Sequence, residues 1–151
     1  MKFTKLVAIV VTSIFFDSCD SSVLSDVVRN DYADIAEAKR GQLFERGWLP
    51  NILPASATQI VTKNDLDLNL SSGEFTMDPK DLSKFQAQLK ECDKSHYNVE
   101  ELLNYARKGY LPFCYTSDAS TWEFYMNPTT GHCEYQMQTK NQSEQDAPSN
   151  H

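Results

Sequence analysis

Three short runs in the last third of the chain place large apolar side chains at every second position: Leu111, Phe113 and Tyr115, then Trp122, Phe124 and Met126, then Cys133, Tyr135 and Met137. Successive side chains of a strand point to opposite faces, so each run predicts a strand with one buried face. Turn formers at Ser117–Ser120 and Asn127–Gly131 separate the runs, which predicts one antiparallel meander. A sheet with one apolar face needs a second layer, and the rest of the chain must supply it.

Upstream, Asp31 can cap a helix in which Tyr32, Ile35, Ala36 and Lys39 share a face and which Gly41 ends. The stretch from Arg46 to Pro54 combines turn formers with Trp48, Leu49, Ile52 and Leu53, as expected of a rigid segment that packs as it crosses. Thr58–Lys63 and Asp65–Met77 read as two strands about a turn near Lys63 and Asn64, because Leu66, Leu68 and Leu70 alternate with Asp65, Asp67 and Asn69. Asp78 with Pro79 opens a helix whose stripe is Leu82, Phe85, Leu89 and Cys92. Asn98 with Glu101 forms a capping box for another, with Val99, Leu102, Leu103 and Ala106 inward and Gly109 closing it. The expected fold class is α+β: a single domain over residues 31–138, an antiparallel sheet with helices packed on one face.

The amino terminus bears on address. Lys2 and Lys5 precede an uncharged run from Leu6 to Phe16, followed by Asp17, Ser18 and Cys19. A basic start, a short apolar run and small residues form the pattern of a secretory signal peptide, here residues 1–18, too short for a permanent span. Cys19 just past the run resembles the acylated cysteine of bacterial lipoproteins, although Phe16 and Asp17 stand where that pattern prefers leucine and a small residue. Cleavage near Ser21 or an uncleaved anchor are the alternatives. Residues 19–30 then read as a tether and 139–151, with no apolar residue larger than Ala147, as a disordered tail. The expected location is outside the cytosol, with the chain anchored to a membrane and facing the periplasm or the cell exterior.

The chain carries a formal net charge of −7. Without residues 1–18, which hold Lys2, Lys5 and Asp17, 12 basic residues face 20 acidic ones. Nucleic acid and anionic lipid head groups are thereby poor partners for the folded part, whereas a basic protein or metal ions are possible ones; the plainer reading of the charge is solubility.

Four cysteines leave Cys92, Cys114 and Cys133 beside Cys19, an odd number in a compartment where disulfides persist. Cys114 with Cys133 is the first expectation, since both lie in the strand-rich part. Alternation argues partly against it: the two point to opposite faces, and the first and third strands of a meander sit two spacings apart. Cys92 paired with either is the runner-up.

Arg46-Gly47-Trp48-Leu49-Pro50 with Leu53-Pro54 and Ser56-Ala57 before Ile60, then Asn64-Asp65-Leu66-Asp67 with Asn69 and Gly73-Glu74-Phe75, together resemble a family of small bacterial lipoproteins and envelope proteins with a YbbD-like head domain. The resemblance covers about residues 31–78. It implies an exported α+β domain and no particular activity.

Few residues suggest chemistry. Asp65, Asp67 and Asn69 have the oxygen-ligand spacing of a calcium loop, but Leu70 stands where an EF-hand needs glycine and Thr76 where it needs glutamate, so a solvated strand face is the better reading. Cys92, His96, His132 and Cys133 have irregular spacing for zinc, and thiols in an oxidising compartment pair sooner. The three histidines, His96, His132 and His151, lack a local nucleophile pattern, and no glycine-flanked serine elbow occurs. The aromatic residues of the strands are mostly what a small sheet needs for its core, which is the better reading; Tyr110 and Tyr125 are left as the candidates for an exposed platform for sugar or peptide. The sequence therefore points to a non-enzymatic envelope protein with a binding or structural role, attached to the membrane through an N-terminal lipid and with an envelope protein as possible partner. It implies no metal, cofactor or small-molecule substrate. The alternative is an acidic inhibitor or immunity-type protein that blocks a basic toxin or hydrolase.

Overall fold

The structure is a computed structural model that describes residues 27–92, 99–117 and 119–139. Six strands, β1 (Val27–Asp34), β2 (Thr58–Asp65), β3 (Leu70–Thr76), β4 (Leu111–Thr116), β5 (Ser120–Met126) and β6 (His132–Thr139), form one antiparallel sheet in the order β1-β2-β3-β6-β5-β4. Two three-stranded meanders are thus joined edge to edge where β3 pairs with β6. The helices are α1 (Ile35–Arg40), α2 (Leu82–Gln86) after a 3₁₀ turn at Pro79–Asp81, and α3 (Val99–Arg107). The α+β expectation, a single antiparallel sheet with helices against it, describes this arrangement.

Register decides which residues form the core. Tyr32, Ile60, Phe75, Cys133, Tyr135, Met137, Trp122, Phe124 and Met126 fall on one face by cross-strand pairing, and all but the half-buried Tyr32 are buried. Over this face lie α1 through Ala38, α2 through Leu82 and Phe85, and the crossing segment 41–57 through Leu43, Trp48, Leu49 and Ala57. Phe75, Phe85 and Phe124 meet edge to face with centroids 5.3–6.4 Å apart, a preferred geometry for aromatic pairs. The Trp122 indole N–H donates to the Trp48 carbonyl at 3.3 Å, so the crossing segment is bonded to the sheet as well as packed on it. At the β5–β6 turn, Gly131 (φ 72°) passes so close to the Met77 carbonyl that any Cβ would collide with it.

Several local expectations are corrected. Residues 27–30, expected in the tether, and 31–34, expected in a helix, form β1. The helix starts only at Ile35, because Asp34 caps it by accepting the Glu37 N–H at 2.8 Å. The turn lies at residues 66–69 rather than at Lys63 and Asn64, and Leu66 and Leu68 are exposed there. The Asp65 carboxylate accepts the N–H groups of Asp67 and Leu68, an Asx turn that ends the strand. The α3 helix lies on the face opposite α1 and α2, and its Val99 and Leu103 point to solvent; Tyr105, not an aliphatic stripe, makes its sheet contact. Gly109 closes it at φ 80° as expected. The expected signal peptide, the rest of the expected tether and residues 140–151 lie outside the described residues, as do His96 and Asn98; Thr139, the first residue of the expected tail, ends β6.

Candidate functional site

The second face of the sheet is only partly covered. Alternation puts Arg29, Lys63, Ser72, Gln136 and Glu123 on it in one cross-strand row, and Asp31, Val61, Glu74, Glu134 and Tyr125 in the next. α3 covers the β4–β6 end: the Tyr105 ring lies on Tyr125 with centroids 3.8 Å apart and planes 13° apart, and the Tyr105 hydroxyl donates to Glu134 at 2.7 Å. Over β1–β3 nothing equivalent is present among the described residues. A trough of about 200 Å³ remains there, with Arg29, Lys63 and Ser72 on one side, Glu74 and Glu134 on the other, and Tyr105 and Tyr125 as its wall.

Burial pushes the hydroxyls of Tyr105 and Tyr125 above the ordinary tyrosine value, and the neighbouring carboxylates, Glu134 for Tyr105 and Glu123 for Tyr125, push the same way. Both stay neutral donors across the physiological range. Tyr105 therefore fixes the Glu134 carboxylate without neutralising it. Arg29 is 3.3 Å from Asp31 on its own strand, whereas Lys63 has no ion pair or side-chain hydrogen bond among the described residues.

Beside the trough, His132 Nδ1 and the Tyr110 hydroxyl share a hydrogen bond at 2.9 Å, and His132 Nε2 faces Glu74 at 3.6 Å. Both ring nitrogens are thus engaged by a phenol and a carboxylate; no serine or thiol hydrogen-bonds to the ring among the described residues. Tyr110 is half-buried in this contact, and burial raises its pKa. Of the two candidates for an exposed platform, Tyr125 is only 2% exposed beneath Tyr105, in line with the core reading of the strand aromatics.

The Cys114–Cys133 expectation is also corrected. Cys114 bonds to Cys92, with Cα atoms 5.0 Å apart, and Cys133 is a buried free thiol. β5 lies between the strands that carry Cys114 and Cys133, and the two side chains face opposite ways. Lys90 meets the free edge of β4 through paired backbone bonds with Cys114 at 2.8 Å, which brings Cys92 within reach. Among the described residues no group of histidine, cysteine or carboxylate side chains could hold a metal, and Asp65 is taken up by its turn.

Sequence reasoning missed the trough because it depends on register across four strands. The placement of Lys63 and Glu74 on one face follows from the pairing of Lys63 with Ser72 and of Val61 with Glu74, a register set by the turn at 66–69, which no alternation pattern specifies.

Residues 26–76, which hold β1, α1, the crossing segment, β2 and β3, match the YbbD head domain and support a YbbD-like head in this part of the chain. No curated protein and no solved structure matches the chain. The trough therefore straddles a seam: Arg29, Lys63, Ser72 and Glu74 come from the matched part, Tyr105, Tyr125, Glu134 and Gln136 from the part beyond it.

Proposed function

We propose that the protein is an exported, lipid-anchored envelope protein with a non-enzymatic binding role, and that the trough on the second sheet face is its binding surface. The observation that carries the binding role is the pairing of a fully packed face with an opposite face whose charged groups are left facing a concavity. Packing alone calls for one apolar face and asks nothing of Arg29, Lys63, Glu74 and Glu134. Export and anchoring are supported by Lys2 and Lys5, the apolar run and Cys19, and by a Cys92–Cys114 bridge of the kind that persists in oxidising compartments. The mixed charge of the trough argues for a ligand bearing both signs rather than a purely basic toxin or hydrolase.

Intact mass of the membrane-extracted protein tests address and anchor together. The expected mass is that of the chain from Cys19 onward plus acyl groups, less two hydrogens for the bridge. A soluble chain of full unmodified mass overturns the anchoring. For the binding role, capture of an envelope component by the native protein and its loss on Glu74→Lys is the expected result; equal capture by both removes the trough from the reading.

A further inference from the structure

The trough holds two like-charged pairs side by side. Arg29 and Lys63 are direct cross-strand partners, and so are Glu74 and Glu134. Like charges directly opposite each other destabilise a sheet, so each pair is an arrangement that folding alone disfavours. Within the first row the donors continue through the Ser72 hydroxyl to the Gln136 amide, and neither side chain has a hydrogen bond among the described residues. The acidic row is positioned: Tyr105 holds Glu134 and His132 stands by Glu74. One row is thus built to accept a carboxylate and the next to accept an ammonium.

Residues two apart on an antiparallel strand, as Ser72 and Glu74 are, stand about 6.8 Å apart. An extended two-residue peptide spans at most about 7 Å. We propose that the trough binds a zwitterionic dipeptide, or the like-spaced ammonium and carboxylate of a short peptide, with the carboxylate on Lys63 and its row and the ammonium between Glu74 and Glu134. This inference rests on the trough being a binding surface. Tyr105 walls the site beside the ammonium.

The test titrates the purified full chain, in neutral detergent, with alanylalanine, its N-acetyl form and its C-terminal amide, and follows tyrosine fluorescence and amide resonances of β3 and β6. Alanylalanine is expected to bind, and each blocked form to bind about tenfold or more weakly, the size of one lost charge-assisted contact. Lys63→Gln is expected to abolish the preference over the amide alone, and Glu74→Gln the preference over the N-acetyl form alone. Both side chains lie on the open face, and far-ultraviolet circular dichroism verifies that each variant folds. Lack of response to alanylalanine up to about 10 mM, weaker than a millimolar site, or equal binding of all three compounds, overturns the inference. If that happens while Glu74→Lys still abolishes capture from the envelope, the dipeptide assignment fails and the binding surface stands.

Discussion

The Tyr105 ring lies flat on Tyr125, 3.8 Å from centroid to centroid, and its hydroxyl reaches past that ring to Glu134 on the neighbouring strand. One side chain thus docks α3 on the sheet and orients a carboxylate of the trough. The two roles separate by substitution. Tyr105→Phe keeps the stack and loses a hydrogen bond to a half-buried charge, for an expected loss of about 1 kcal/mol. Tyr105→Ala also uncovers Tyr125 and should cost about 2–3 kcal/mol. Urea unfolding of both variants measures this, and equal losses would show that the stack contributes nothing.

The Cys92–Cys114 bridge closes a loop with a sequence separation of 22 residues. Constraining a loop of that size in the unfolded chain is worth about 3 kcal/mol. Reduction, or Cys92→Ala, should therefore lower the melting temperature by on the order of 10–15 °C for a domain of this size. Peptide mapping should link Cys92 to Cys114, and a thiol reagent should reach Cys133 only after denaturation, since that thiol is fully buried. A linked Cys114–Cys133 peptide would contradict the fold at β5.

Alkaline pH should unfold the protein for a definable reason. Burial is the first cause that raises the pKa of Cys133 and of Tyr105, Tyr110, Tyr125 and Tyr135, all neutral in the folded chain. Such groups bind their protons more tightly folded than unfolded, so their contribution is complete below the unfolded values and is lost as pH rises through the folded ones. Melting temperature should hold flat from pH 7 to about 8.5, then fall past about pH 10, where thiols and phenols of the unfolded chain ionise. Tyrosinate absorbance near 295 nm rising well before the fall in melting temperature, with these four residues contributing, would contradict the burial argument.

The parts of the fold that were legible are those in which one local rule decides the outcome. β5 and β6 could be read because each buries an alternating face, β4 because Phe113 and Tyr115 pack on the same core although Leu111 stays exposed, and Trp48 and Leu49 because so much apolar area among prolines must pack. β1 could not, because as an edge strand it exposes Val27, Val28 and Arg29 and shows no clean alternation. Leu66 and Leu68 copied a strand's period while the Asp65 carboxylate was closing a turn around them. This gives a sharp expectation: Leu66→Ser and Leu68→Ser should each shift stability by no more than about 0.5 kcal/mol, as exposed turn positions do. A loss of about 2 kcal/mol by chemical denaturation would mean that these leucines are covered in solution.

On the core face itself, a buried polar chain ties the two meanders together. The Asn64 amide donates to Thr62 at 3.2 Å, the Ser71 hydroxyl donates to Asn64 at 2.7 Å, and Ser71 and Tyr135 hydroxyls lie 3.2 Å apart. Thr62 and Asn64 are completely buried, so removal of one member strands its neighbours without water. Asn64→Ala leaves both Thr62 and Ser71 short of a partner and should cost about 2–3 kcal/mol, whereas Tyr135→Phe removes only the last link and should cost about 1 kcal/mol. Because Ser71 joins them, the double variant should lose less than the two single losses combined, by about 0.5 kcal/mol or more. A double-mutant cycle in urea reads that difference directly, and strict additivity would show that the β2–β3 meander and Tyr135 of β6 are not coupled through Ser71.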